Sequence, residues 1–360
     1  MRGNEKPQES LFSYVSLESR VPVHHPLRPI KAMVDPVLAA MNADFERMYA
    51  GEGRPSIPPE RLLRALLIQV LFSVRSERQL MEQLDYNLLY RWFVGLGIDE
   101  PVWDPTTFTK NRDRLQQSAI ADRFFEKVVS HARHHGLLSR EHFTVDGTFI
   151  EAWASHKSFQ KKDGTDEPPG PGRNAEADFR GEKRSNETHE STTDPDARLR
   201  RKGGEAAKLV HHGHVMTENR NGLVVAALVT TAAGNAEAEA ALVMIRDRGS
   251  ARPITVGADK AYDQHAFVDG ARELGATPHV AQCITSQRGS MIDNRTTRHE
   301  SYAVSQRRRK LVEEAFGWMK TVAGLRKTRH RGTKLVDWIF RFTMAAYNLV
   351  RMRKLIRQPA

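Results

Sequence analysis

Along the first third of the chain, apolar residues recur with the 3.6-residue period of an α-helix. Pro59 stands in the first turn of one such stretch, a position where proline is tolerated. The apolar stripe behind it comprises Leu62, Leu63, Leu66, Leu67, Val70 and Leu71. This pattern predicts an all-helical unit over residues 36–137. Residues 1–35 are rich in proline and show little periodicity, so we expect an irregular N-terminal arm there.

After Gly136 the period of the apolar residues changes from 3.6 to 2. The strands predicted from this pattern are 142–150, 209–217, 223–231, 254–258 and 277–281. The helices predicted between and after them are about 236–248, 264–274, 305–322 and 336–356. Three strands followed by alternating helices and strands is the order that a ribonuclease H-like sheet requires. We therefore predict a mixed α/β fold whose catalytic domain spans residues 138–360.

Residues 154–208 interrupt this order. The segment contains Pro168-Pro169-Gly170-Pro171-Gly172 among many charged and serine residues. A composition of this kind cannot bury a core. We expect a disordered insertion between the first and second strands.

The chain of 360 residues carries a formal net charge of +11. A basic excess of this size favours a polyanionic partner, nucleic acid before a membrane surface. Cys283 is the only cysteine, which excludes an intrachain disulfide and fits a reducing compartment such as a bacterial cytoplasm. No apolar run approaches the roughly 18–20 residues of a membrane span.

Asp146 lies among the β-forming residues Phe143, Val145 and Phe149. An ionised carboxylate inside a strand is costly unless a cation or a hydrogen-bond donor meets it. A solvent-facing position, or a turn before Gly147, would explain the same acid without any function. Both interpretations stay open on this stretch alone.

Asp259 follows directly after the predicted strand 254–258. Ligand sites in α/β sheets gather at the carboxyl ends of strands, which favours a functional role. The alternative is a helix N-cap before Gln264, but Asp263 stands closer to that position. Asp259 is therefore a candidate site residue.

A third acid, Glu313, lies on the predicted helix 305–322, four residues after Arg309 and seven before Lys320. These spacings place the three side chains along one face of a helix. An exposed ion pair between Arg309 and Glu313, worth only about 0.3–0.5 kcal/mol, is the simpler explanation of the helix taken alone. Glu314 is the rival acid, but it keeps neither spacing.

Asp146, Asp259 and Glu313 suggest a shared site if the fold brings them to one place. Three close carboxylates repel one another unless divalent cations neutralise them. Oxygen ligands of this kind suit Mg²⁺ or Mn²⁺. Two such ions can activate a water or a 3′-hydroxyl for in-line attack on a phosphodiester.

Residues 287–334 contain 13 lysines and arginines against four acids. Within them, a stretch between Gly324 and Gly332 carries Arg326, Lys327, Arg329 and Arg331. We expect these four side chains to lie in a loop on DNA phosphates, where arginine positions DNA without reading its sequence. A solvated charge run is the alternative, and it applies equally to the basic residues of the N-terminal helices.

Three histidines, His211, His212 and His214, lie in a predicted strand. No cysteine or second histidine pair follows with zinc spacing. We expect surface or hairpin histidines rather than a metal site.

The acids and their neighbours resemble the motifs of bacterial DDE transposases of the insertion sequence four and five superfamily. The matching stretches are Thr144-Val145-Asp146-Gly147-Thr148, Gly257-Ala258-Asp259-Lys260-Ala261-Tyr262-Asp263 and Arg309-x3-Glu313-x6-Lys320. Gln306 stands where the family's third motif has tyrosine, and Tyr302 lies one turn earlier. Residues 55–130 also resemble the family's N-terminal, DNA-binding domain.

The resemblance implies an enzyme that cuts and joins DNA with Mg²⁺, which Mn²⁺ can replace. Asp146, Asp259 and Glu313 would be its catalytic metal ligands, and Arg309 and Lys320 would contact DNA phosphates. The implied partners are the double-stranded element ends, the target DNA and a second copy of the chain. Two alternatives stay open: a metal-dependent nuclease of the same fold without strand transfer, and an inactive DNA-binding remnant.

Overall fold

A computed structural model describes residues 15–49, 52, 56–164, 184–201, 203–249, 252–284 and 289–356. Of the predicted features, residues 1–14 of the N-terminal arm and residues 165–183 of the insertion lie outside this part. Within the described residues, no helix is long and apolar enough to span a membrane.

The chain begins with helices. They are α1 (Leu17–Arg20), α2 (Leu27–Ala39), α3 (Asn42–Glu46), α4 (Pro59–Leu71), α5 (Glu77–Tyr86), α6 (Leu88–Val94), α7 (Pro105–Gln116) and α8 (Ile120–His134). The expectation of an irregular arm is wrong for residues 17–35, where α1 and most of α2 lie. Leu27, Ile30 and Val34 repeat with helical spacing and are buried, so packing stabilises a helix that the prolines obscured.

Strands and helices alternate in the second part. The strands are β1 (His142–Glu151), β2 (Phe159–Lys161), β3 (His189–Ser191), β4 (Arg198–Arg200), β5 (Lys208–Glu218), β6 (Val224–Thr231), β7 (Ile254–Ala258) and β8 (Ala276–Val280). The helices are α9 (Ala236–Arg248), α10 (His265–Glu273), α11 (Asn294–Thr297), α12 (Glu300–Arg308), α13 (Leu311–Thr321) and α14 (Thr333–Leu355).

The main sheet has β1 at its centre. β1 pairs antiparallel with β5 and parallel with β7. β5 pairs antiparallel with β6, and β7 pairs parallel with β8. An antiparallel three-stranded start followed by two parallel strands is the predicted ribonuclease H-like arrangement, and the predicted mixed α/β class is confirmed.

The insertion is partly structured, which corrects the expectation of disorder over 154–208. β2 and β3 form a two-stranded hairpin, and β4 joins the main sheet beside the start of β5. Asp194 and Asp196 tie the segment to the start of α14 by accepting hydrogen bonds from the amides of Gly332 and Thr333. These long-range contacts supply the order that the local composition lacks.

The predicted helix 305–322 is two helices, α12 and α13, joined at Arg309 and Lys310. Here the amide of Val312 donates to the carbonyl of Arg309 and the amide of Glu313 to that of Lys310. Such three-residue bonds form a 3₁₀ turn. The chain keeps a helical course through the joint.

α14 connects the N-terminal helices to the sheet. Trp338 donates its indole hydrogen to the carbonyl of Leu115 at 3.1 Å, and the rings of Phe124 and Phe342 lie 5.4 Å apart. One buried cluster extends from α2 through α4 and α8 to α13, α14 and β6. A second lies on the opposite face of the sheet, under α9 and α10. The helical unit therefore shares its core with one face of the sheet.

Candidate active site

Two acidic residues lie side by side where β7 ends beside β1. Thr144 of β1 is the register partner of Gly257 of β7, and the two strands are parallel. Asp146 follows Thr144 by two residues, and Asp259 follows Gly257 by two residues, directly after the end of β7. The charge of Asp259 acts on Asp146. Side chains two residues apart in extended chain return to the same face, so the structure brings these two sequence-predicted carboxylates together.

The electrostatic environment of Asp146 reflects this proximity. Burial raises the pKa of Asp146 to about 7, and the charges of Asp259 and Glu237 act in the same direction. The Gly147 amide, which donates to Asp146 at 2.8 Å, and the Arg309 guanidinium favour the ionised form but do not offset these effects. A cation placed here would meet a carboxylate that the protein alone leaves poorly stabilised.

Asp259 also accepts a hydrogen bond from the amide of Ala261 at 2.8 Å, capping a short 3₁₀ turn. The capping alternative is therefore true in part. Asp263, expected to cap the helix at Gln264, instead accepts from the amides of Cys283 and Met291. Asp263 anchors the loop after β8. Because its partners are 20 and 28 residues away, local sequence patterns did not predict this contact.

Arg309 lies over the face of the sheet that carries both aspartates. Its Cβ lies 3.8 Å from where a Cβ at Gly257 would stand, a distance of ordinary van der Waals contact, so Arg309 packs over this point of β7. Gln306, at the position of the family's tyrosine, accepts from Arg309 Nε at 3.2 Å and donates to the carbonyl of His279 at 2.5 Å. Gln306 thus links the end of β8 to Arg309.

Lys320 lies at the other end of the helical stripe formed by Arg309, Glu313 and Lys320. Its Nζ donates to Thr148 Oγ1 at 2.5 Å, and Thr148 is two residues after Asp146 on the same face of β1. Glu313 lies between Arg309 and Lys320 and is exposed. The rival acid Glu314 forms an ion pair with Arg351 of α14. Its carboxylate is therefore directed toward α14.

Glu237 is the residue that sequence reasoning missed. It lies in the first turn of α9, and its charge contributes to the raised pKa of both Asp146 and Tyr262. Acids are common in the first turn of a helix because they favour its dipole. No local signal therefore distinguished Glu237 from an ordinary surface acid.

The three histidines of β5 lie in the β5–β6 hairpin, but the expectation of a surface position is wrong. All three are buried, since helices cover both faces of this strand. His211 Nε2 lies 2.9 Å from Asp194 Oδ2. Burial lowers the pKa of His212 to about 4 and that of His214 to about 2, so both are neutral near pH 7.

The predicted basic loop connects α13 to α14, and its backbone pairs with the end of β1. The amide of Glu151 donates to the carbonyl of Arg326, and the amide of Thr328 donates to the carbonyl of Glu151. Arg326, Lys327, Arg329 and Arg331 are all exposed, whereas Thr328 is buried. The backbone of this loop is thereby held beside Glu151, five residues after Asp146 on β1. The four charged side chains extend into solvent.

A divalent cation fits the aspartate pair. Among the described residues, no group of three or more histidine, cysteine, aspartate or glutamate side chains is arranged to hold a metal ion. Mg²⁺, however, is commonly bound by one or two carboxylates completed by waters and substrate phosphates. Asp146 and Asp259 offer such a pair of oxygen donors.

Two family models match the chain. The first, Transposase domain (DUF772), matches residues 15–114, and the second, Transposase DDE domain, matches residues 138–349, more than half of the chain. The chain belongs to the DDE transposase family. In this transposase the first match covers most of the N-terminal helices, and the second contains the sheet, the aspartate pair and most of α14.

Solved structures similar to the transposase include a piggyBac transposase synaptic complex with hairpin DNA, at 9% identity and a TM-score of 0.41 over 94% of this chain and 77% of that one. A Mos1 transposase paired-end complex matches at 13% identity and a TM-score of 0.20, covering 79% and 87%. A Mos1 mariner paired-end complex with Mn matches at 13% and 0.20, covering 89% and 84%. Similarity this low carries no conclusion about this chain.

Proposed function

We propose that the transposase binds the ends of its DNA element and catalyses Mg²⁺-dependent strand cleavage followed by strand transfer. The observation that carries this proposal is the juxtaposition of Asp146 and Asp259 at the end of β7. A pair of carboxylates in a partly buried position disfavours its own ionisation, and a divalent cation relieves this repulsion.

Glu313 is the third ligand in this proposal. It shares a helical stripe with Arg309 and Lys320, and both ends of that stripe contact the face of the sheet that carries Asp146. The ion pair of Glu314 with Arg351 removes the rival acid. Glu313 is exposed and therefore accessible to a cation that arrives with DNA.

Bound at these carboxylates, Mg²⁺ or Mn²⁺ would supply activation of a water or a 3′-hydroxyl and stabilisation of the departing oxygen. The chain's own residues orient the DNA. Arg309, fixed by Gln306, and Lys320, fixed by Thr148, place positive charge beside the aspartates. Arg326, Lys327, Arg329 and Arg331 extend that charge along the loop after α13, where phosphates of double-stranded element ends and target would lie.

Two element ends are cut and joined in the proposed reaction, and two copies of the site would act on them together. We therefore include a homodimer as the active complex, a feature that the family resemblance implies. The N-terminal helices share a core with the face of the sheet on which α14 lies, so DNA bound to them would be held rigidly relative to the aspartates.

The experiment is a nicking and joining assay with DNA that carries the ends of the transposase's own element. The chain should nick and join in Mg²⁺, whereas Asp146→Ala, Asp259→Ala and Glu313→Ala should each lose both activities by at least 100-fold. Glu314→Ala, the matched control on the same helix, should retain them. Full activity in all three site variants would refute the assignment.

The same assay separates the alternatives. A nuclease of this fold would nick DNA without joining any 3′ end to a target. An inactive remnant would bind DNA with an affinity that falls steeply as salt rises, yet show no metal-dependent product.

A further inference from the structure

Glu237 lies beneath the strand that carries Asp146. It is on α9, which packs against β1 and β5, and is partly buried. Tyr262, a residue that is 2% exposed, hydrogen-bonds through its hydroxyl to the Glu237 carboxylate. The buried tyrosine therefore holds this carboxylate against the core, although the Glu237 side chain is 30% exposed.

Gly147, the residue after Asp146, provides the space for Glu237. A Cβ added at Gly147 would stand 2.6 Å from Glu237 Oε1 and 2.6 Å from His212 Nε2. Contacts below 3.0 Å do not occur for real Cβ atoms, so any other residue would displace one of these groups. The absence of a side chain at 147 brings Glu237 next to the backbone of the catalytic strand.

His212 borders the same space. It is 7% exposed, and its Nε2 lies 4.0 Å from Glu237 Oε1. Its Nδ1 is buried and has no hydrogen-bond partner among the described residues. The Nε2 atom is the one that faces the Gly147 space, so a polar group lies there beside the Glu237 carboxylate.

The charge of Glu237 reaches the aspartate pair. The negative charges of Asp259 and Glu237 both act on Asp146, and the charges of all three acids act on Tyr262. Three negative charges this close repel one another in the folded chain, and a divalent cation at the pair would be attracted by each of them.

We propose that Glu237 is a positioning residue of the transposase, whose carboxylate, held by Tyr262 beneath Gly147, strengthens divalent-cation binding by Asp146 and Asp259 without being a ligand. Groups outside the ligand set commonly tune metal affinity tenfold or more. The inference rests on the proposed function, because it takes Asp146 and Asp259 as the ligands.

The test measures Mn²⁺ binding to the full chain without DNA, from the electron paramagnetic resonance signal of free Mn²⁺. Glu237→Gln, which keeps the shape and removes the charge, should weaken binding about tenfold. Glu237→Asp should weaken it less. Glu239→Gln, the same charge change at an exposed position of α9, should leave binding unchanged.

A second readout separates charge from structure. In EDTA, Glu237→Gln should melt at the same or a higher temperature than the unaltered chain, because a repulsion is removed. Added Mn²⁺ should then raise its melting temperature less. If Glu237→Gln does not fold, Tyr262→Phe serves instead: it removes only the hydrogen bond and should weaken Mn²⁺ binding about threefold.

The outcomes are distinguishable. If Asp146→Asn and Asp259→Asn abolish Mn²⁺ binding while Glu237→Gln matches Glu239→Gln, the positioning role is refuted and the proposed function stands. If Mn²⁺ binding is unchanged in Asp146→Asn and Asp259→Asn as well, the metal site itself is refuted. Unchanged binding in a folded Tyr262→Phe, where that variant is the one tested, also refutes the positioning role.

Discussion

Replacing Asp146 by asparagine should stabilise the metal-free chain at alkaline pH. The pKa of Asp146 is about 7 in the folded chain against an ordinary value of 3.8. Between these two pH values the folded chain retains a proton that the unfolded chain has lost, so stability falls as the pH rises. The stability that the folded chain gains by keeping this proton is fully present below about pH 4 and fully lost above about pH 7.

The size of the effect follows from that difference. At about 1.4 kcal/mol for each pKa unit, the loss above pH 7 amounts to about 4 kcal/mol. Asparagine cannot ionise, and its carbonyl oxygen can still accept the Gly147 hydrogen bond. Asp146→Asn should therefore gain about 4 kcal/mol relative to the unaltered chain between pH 4 and pH 8.

The assay is urea denaturation in EDTA at pH 4.5 and pH 8, with the free energy of unfolding taken from each curve. Asp269→Asn, at an exposed position of α10, is the control and should show no such difference. Mg²⁺ added at pH 8 should stabilise the unaltered chain and have little effect on Asp146→Asn. The free energy of unfolding of Asp146→Asn minus that of the unaltered chain should be larger at pH 8 than at pH 4.5. A smaller difference at pH 8 would refute the reasoning.

Two further predictions concern the strand beside β1. Gly213→Ala should lower the free energy of unfolding by about 1–3 kcal/mol, because the new Cβ would lie 2.9 Å from the ring of Phe340; urea denaturation measures this, and an unchanged midpoint would contradict it. His211→Ala should cost about 3 kcal/mol at pH 7, since it leaves the fully buried Asp194 without its only side-chain partner among the described residues. Although burial raises the pKa of Asp194, the hydrogen bond from His211 lowers it below 3.8 overall. Its contribution is therefore lost as the pH falls below 3.8, and the two chains should converge in stability there; a difference that persists in strong acid would show that packing, not the pair, is responsible.

Local patterns predicted the parts of the site that depend on one element. Alternating apolar residues indicated β1, and an acid directly after the strand 254–258 indicated a ligand position. The spacing of Arg309, Glu313 and Lys320 indicated one helical face. These properties follow from the periods of strands and helices, which the sequence contains directly.

The order of strands and helices was also sufficient to predict five of the six strands that the described residues form in the main sheet. Parallel strands need helical crossovers, so few topologies fit the sequence. That topology makes β1 and β7 neighbours, and their pairing brings Asp146 close to Asp259.

Only the tertiary structure decided which other groups share the space around Asp146. Glu237 reaches it because α9 packs against β1 at Gly147, and Gln306 reaches the carbonyl of His279 because α12 lies at the end of β8. The insertion is ordered in part because Asp194 finds His211 and the start of α14. Each of these contacts joins residues far apart in the chain, and local periodicity carries no information about such pairs. Burial and charge at the site are set by packing between elements, so they were fixed only when the chain had folded.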